Sequence, residues 1–154
     1  MKLKSLMIIS TFLFIMVLIS QAAYSGDYCG ECYNDECRSP GYWKNHPDAW
    51  PVNTITIGDI TYTKEEAIYL MNQPVKGNKW YTMFKALVAA KLNRSIGCVC
   101  CDANYCIGQA SNWMAFVHEP PYSDIVRASS TAWQCGGEDL YLCLDDFNNG
   151  ELCE

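Results

Sequence analysis

Between Gly77-Asn78 and Ser95-Ile96-Gly97, the apolar residues Trp80, Phe84, Leu87, Val88 and Leu92 follow one another at spacings of four, three, one and four. Residues so spaced share one face of an α-helix. Met83 and Ala90 widen the stripe, Lys85 and Lys91 fall away from its centre, and Gly97 is a natural stop. This helix is expected to form the middle of the core. Upstream, Thr63-Lys64-Glu65-Glu66 matches a capping box, with Thr63 as N-cap and Glu66 reaching back. Ala67, Ile68, Leu70 and Met71 carry that helix to Asn72-Gln73-Pro74. Before it, Ile55-Thr56-Ile57 and Ile60-Thr61-Tyr62 are short β-branched runs about Gly58-Asp59, with the glycine first as a type II′ turn prefers. Such a hairpin is not stable alone and must pack on something. A third helix is expected from about Ile107 through Gln109, Trp113, Phe116 and Val117, ending before Pro120-Pro121. Tyr122 to Gln134 reads as loop plus a helical turn, with Ile125, Val126 and Trp133 apolar. A last short helix runs from Glu138 to Phe147 on Leu140, Leu142, Leu144 and Phe147, closed by Asn148-Asn149-Gly150, residues that tolerate left-handed geometry.

Cys37 to Pro51 breaks this periodicity. Three prolines, Gly41 and two tryptophans within fifteen residues argue against an ordinary helix or a central strand. Each proline fixes its own φ and pushes the residue before it, here Ser39, His46 and Trp50, toward extended geometry. The expectation is a stiff, turn-rich ribbon lying across a hydrophobic surface, with one helical turn starting at Pro47, a favoured first helical position. Residues Ser39 to Pro51 resemble a signature of secreted bacterial and archaeal domains, S-P-G-[FY]-W-K-N-H-P-x-A-W-P. Similar domains carry segments comparable to Gly58-x-Ile60-Thr61-Tyr62-Thr63, Ala89-Ala90-Lys91-Leu92-Asn93 and Leu144-Asp145-x-Phe147-Asn148-Asn149-Gly150 in this order. The resemblance covers roughly Ser39 to Gly150 and implies a domain and an exported compartment, but no chemistry. The cysteine-rich stretches Cys29 to Cys37 and Cys98 to Cys106 depart from the usual form and suggest a more heavily stapled variant.

Lys2 and Lys4, an apolar run of fifteen residues from Leu6 to Ser20 and small residues at Ala22, Ala23 and Ser25 read as a signal peptide over 1–25. The run is shorter than the ~20 residues a membrane-crossing helix needs; a retained anchor is the alternative. A cysteine-rich lead-in over 26–38 and a single helical domain over 39–154 follow. Loss of Lys2 and Lys4 takes the formal charge from −6 to −8, since all seventeen carboxylates remain. An acidic chain without a basic cluster argues against nucleic acid or anionic membranes as partners.

All ten cysteines follow the signal segment. They form three groups: Cys29, Cys32 and Cys37; Cys98, Cys100, Cys101 and Cys106; Cys135, Cys143 and Cys153. An even count in an exported chain reads as a disulfide framework. If every cysteine pairs, each group of three sends at least one bond outside itself. The lead-in and the tail are then tied to each other or to the central group. The rival is a tetrahedral zinc site that draws its thiolates from among Cys29, Cys32, Cys98, Cys100 and Cys101 and is completed by His46 or His118. Only Cys29-x2-Cys32 has the usual two-residue spacing, so bridges are preferred to metal, and metal to a redox-active dithiol.

His46 and His118 are the two imidazoles, so histidine catalysis rests on one of them. His46 sits beside Asp48 and Lys44 on the rigid segment, where a functional ring could be held; the competing reading has it ordering the turn through a backbone carbonyl. His118 reads as a helix terminus, where a cationic ring suits the carbonyl end. No G-x-S-x-G, H-E-x-x-H or glycine-rich phosphate loop occurs. The carboxylate pair of a glycosidase is not indicated by any spacing. Asp145 to Gly150 superficially matches a calcium loop, but Phe147 stands where an oxygen ligand belongs. Tyr42, Trp43 and Trp50 are either anchors of the ribbon or a flat platform for sugars or apolar protein surface, with anchoring preferred. Trp80 and Trp113 are core by their helix positions. Asn93-Arg94-Ser95 matches a glycosylation sequon near a helix end.

The sequence thus points to a mainly α domain: a compact bundle of about four helices, a small β-hairpin and a Pro/Trp-rich ribbon, closed by disulfides. The function it suggests is a non-catalytic extracellular structural or interaction module, adhesive, envelope-associated or binding carbohydrate or protein. The alternatives are an extracellular hydrolase using His46 with Asp48 or another nearby carboxylate, and a Cys/His metal-binding protein. No cofactor is implied.

Overall fold

A computed structural model describes residues 37–98, 100–117 and 125–152. The signal-peptide reading, Cys29, Cys32, Cys153 and His118 lie outside these. Among the described residues there are five α-helices and one two-stranded antiparallel hairpin.

The segment expected as a ribbon begins with a helix, α1 (Pro40–Asn45). Its proline content does not forbid this, because Pro40 occupies the first turn, where a missing N–H costs no intrahelical bond. Ser39 is extended (φ −66°, ψ 160°) and its hydroxyl accepts the Tyr42 N–H at 3.2 Å, completing the cap. His46 (φ −126°, ψ 67°) ends α1, and a 3₁₀ turn over Pro47–Ala49 follows, as the proline position implied. Trp50 is extended before Pro51.

Strands β1 (Thr54–Ile57) and β2 (Ile60–Thr63) pair in the register Ile57–Ile60 and Ile55–Tyr62. Gly58 has φ +63° while Asp59 has no positive φ, the signs of a type II′ turn. Gly58 is also a point of close approach: a Cβ there would lie 2.8 Å from the backbone nitrogen of Ala115. Ile55, Ile57 and Tyr62 are buried, which meets the hairpin's need for a surface.

Helix α2 (Lys64–Asn72) starts with both halves of the capping box in place. The Glu66 N–H donates to the Thr63 hydroxyl, and the Thr63 N–H donates to Glu66 Oε2 at 2.8 Å. These bonds favour the ionised form, the backbone N–H most, and hold the Glu66 carboxyl below the ordinary carboxylate range. Helix α3 (Lys79–Ser95) is capped by the Asn78 side chain and ends before Gly97 at φ +96°. Its stripe residues Trp80, Phe84, Leu87, Val88 and Leu92 are all buried, and it touches α1, α2 and β1 as well as the two later helices. Each fully buried Phe, Leu or Val side chain contributes ~1.5–3 kcal/mol.

Helix α4 (Cys101–Phe116) begins six residues before the expected Ile107, so most of what read as a second cysteine loop is helical. Cysteine packs as a small apolar residue, and the inward face is Ala103, Cys106, Ile107, Ala110 and Met114. That face is rotated from the expected one: Phe116 is 79% exposed, and Trp113 is only partly buried. Val126 anchors the following segment, whereas Ile125 is exposed. A kinked π turn (Trp133–Gly137), with Gly136 at φ 155°, leads into α5 (Glu138–Asn149), which Gly150 closes in the left-handed region at φ +77°. Leu144 and Phe147 face the core, while Leu142 is half exposed.

Two bridges link these elements. Cys37–Cys98 ties the segment before α1 to the chain just after α3, and Cys106–Cys143 ties α4 to α5. Each outer group does send a bond to the central one, although the premise that every cysteine pairs fails at Cys135. Cys100 is also disulfide-bonded. Cys135, expected in a bridge, is unpaired and exposed on the π turn. Among the described residues, no helix is long and apolar enough to cross a membrane.

Candidate functional site

Trp43 and Trp50, two of the three aromatic platform candidates, are interior. Trp43 is 1% exposed and its indole N–H donates to Asn93 Oδ1 at 2.9 Å. The Trp50 indole N–H donates to the Trp43 carbonyl at 2.9 Å, fastening the 3₁₀ turn to α1. Asn93 accepts the Arg38 N–H as well, and its amide donates to the Arg38 carbonyl and to Asn148 Oδ1. Asn148 in turn donates to the Ala86 carbonyl at 3.0 Å. Asn148, read as part of a helix-closing run, is thus a buried connector between α5 and α3. The sequon asparagine is fully buried with both amide atoms engaged, so the folded protein does not offer it for glycosylation.

The remaining tryptophans are packed too. Trp80 stacks on Phe84, and Trp133 lies edge-on to Trp113 beneath the Lys79 ammonium. The Trp113 indole N–H donates to the Ala132 carbonyl at 2.8 Å. All five tryptophans of the chain are thereby held against the core.

Tyr42 is partly exposed and stacks on the His46 ring with centroids 4.2 Å apart, while the Arg38 guanidinium sits 5.2 Å from the Tyr42 centroid. His46 Nδ1 is 2.9 Å from the Tyr42 carbonyl, which also accepts the His46 backbone N–H. With Nδ1–H donating, that contact orders the turn and fixes the ring, as the competing reading supposed. Among the described residues, no hydrogen bond or ion pair joins His46 to Asp48.

Cys98 and Cys100 carry their sulfurs in disulfides and are not thiolate donors. Among the described residues, no three of His, Cys, Asp and Glu converge as a metal site would require. On α5, the Asp145 carboxyl is pushed above its ordinary value, first by burial and then by Asp146, against a lowering hydrogen bond from Tyr141.

A concavity lies elsewhere, between β2 and α2. It has a volume of about 540 Å³, lined by Ile60, Thr61 and Tyr62 from the strand and by Glu65, Glu66, Tyr69 and Leu70 from the helix. This is within the ~300–1,000 Å³ range of ligand sites. Leu70 and Tyr62 are buried, whereas Tyr69 is 66% exposed and Ile60 is partly so. Among the described residues, two carboxylates and no cation line it. Sequence reasoning did not single out these residues. One signal was present: Tyr69 falls off the Ala67, Leu70 and Met71 face, so a large aromatic had no core position to fill.

No protein-family model matches the chain, and neither a curated protein nor a solved structure was found to match it.

Proposed function

We propose that this chain is a non-catalytic extracellular interaction module that binds its partner in the cleft between β2 and α2. The observation that carries this reading is the distribution of aromatics: every tryptophan is packed against the core, while Tyr69 stands exposed over a concave, partly apolar site. Large exposed apolar surface beside a cleft is characteristic of contact sites. Disulfides fit an oxidising compartment, as the N-terminal sequence also suggests. The arrangement of His46, bonded to a backbone carbonyl and without a carboxylate partner among the described residues, supports recognition over hydrolysis.

The reading is tested by probing arrays of glycans and of extracellular proteins with the oxidised protein and with Tyr69→Ala. Binding that falls at least tenfold in the variant is expected. Binding indifferent to Tyr69→Ala, or substrate turnover abolished by His46→Ala, would sink the proposal.

A further inference from the structure

Strand β2 has a backbone edge that the fold leaves open at one residue. A type II′ turn closes with a hydrogen bond between the residues flanking it, so Ile57 and Ile60 form a bonded pair and Thr56 and Thr61 the next, non-bonded pair. The surroundings bear out this phase. The Thr56 carbonyl points away from β2 and accepts the Lys91 ammonium at 2.7 Å. On the opposite edge, the Thr63 N–H points away from β1 and donates to Glu66 Oε2. Thr61 lies on that same outer edge, two residues earlier. Its N–H and C=O therefore face outward into the cleft, where no described residue pairs with them.

Among the described residues, the outer edge of β2 is thus taken at the Thr63 N–H and open at Thr61. The site beside it offers an apolar wall from Ile60 and Tyr69 and carboxylates from Glu65 and Glu66. Glu66 is committed to its cap, whereas Glu65 is exposed and without a bonded partner among the described residues. An N–H and C=O pair at a strand edge is complementary to extended peptide backbone. A lone carboxylate beside an aromatic ring is complementary to a cation on an aliphatic stem. We propose, resting on the reading of the cleft above, that its ligand is an extended, lysine- or arginine-bearing segment of another protein. That segment adds to β2 by pairing its backbone with Thr61 and places a basic side chain against Glu65 and Tyr69. The acidic net charge, −6 for the full sequence, steers such a cationic segment toward the protein at low ionic strength.

The test is an NMR and calorimetric titration of the oxidised protein with a capped heptapeptide of alternating lysine and valine. Control ligands are the same peptide N-methylated on alternate residues, its glutamate counterpart, and a β-linked hexamer of N-acetylglucosamine. Binding by the basic peptide with a shift of the Thr61 amide is expected, and its loss on N-methylation. Thr61→Pro removes the outward N–H at an edge position, where a strand tolerates proline, and is expected to weaken binding about tenfold while the remaining amide resonances keep their folded positions. Glu65→Lys is expected to weaken it about threefold or more, with the difference shrinking at high salt. Peptide binding indifferent to both N-methylation and Thr61→Pro overturns the strand-addition proposal. Binding of the oligosaccharide in a Tyr69-dependent way, with none of the peptide, also overturns it but leaves the interaction module standing. If neither ligand binds, both readings fall.

Discussion

Asn93 shows how much one amide governs here. Its oxygen accepts from the Arg38 backbone and the Trp43 indole, and its nitrogen donates to the Arg38 carbonyl and Asn148. Truncating it strands several buried polar groups at once, each costing ~1–3 kcal/mol when left without water or partner. Asn93→Ala is therefore expected to destabilise the protein by about 3 kcal/mol or more in urea unfolding, with a loosened Trp43 fluorescence environment. A loss below about 1 kcal/mol would show that water replaces the amide. The residue was visible in the sequence as part of a sequon, a pattern that describes three neighbours and carries no information on burial. Its partners lie at separations of 50 to 55 residues, which is why local spacing could not reveal its role.

At the scale of elements, the hairpin and α2 follow from local chemistry. The Gly58-Asp59 turn, the Thr63 cap and the α3 stripe are governed by short-range rules, and the structure has each where the residues placed it. The expectations failed where tertiary packing decides. The start of α4 at Cys101 has no side-chain cap, so no motif announced it. The helix at Pro40 needed the Ser39 cap to be weighed above the proline count. The cleft depended on which face α2 turns to β2, a property of neither element alone. Two predictions belong here. Gly58→Ala combines a positive φ with a clash against the Ala115 backbone and is expected to cost ~1–3 kcal/mol, read as a lowered urea midpoint. Glu66→Gln tests the cap electrostatically. Because the folded Glu66 pKa is depressed, its contribution is present above the unfolded value of ~4.3 and is lost as pH falls through the folded value. The glutamine variant, which keeps hydrogen-bonding capacity without the charge, is expected to lose less stability than the parent between neutral pH and the acid range. Parallel acid limbs for the two proteins would place the effect elsewhere.

For the molecule as a whole, the bridges act on the unfolded chain. Cys37–Cys98 and Cys106–Cys143 span 61 and 37 residues, and loop-closure entropy assigns ~4 kcal/mol to each as an ideal. Replacing Cys106 and Cys143 together by alanine is expected to cost ~2–4 kcal/mol while leaving the cleft, whose walls lie in the other loop, able to bind. Loss of binding in a variant that still folds would show that α4 and α5 support the cleft at long range. The core around α3 was foreseen as the centre because its stripe was continuous. The function was less legible, since the residues with the strongest pattern are those the fold consumes, and the exposed site consists of an ordinary strand edge, a tyrosine and two glutamates.

The two bridged spans lie one after the other along the chain, neither nested nor crossed. Each is a covalent ring, so a protease that cuts once inside either ring separates no fragments. A protein of this design therefore survives nicking at the exposed Asp59 tip or on the segment before the π turn as a single, still-tethered particle. Intact mass after limited proteolysis, compared with and without reductant, reads that property directly.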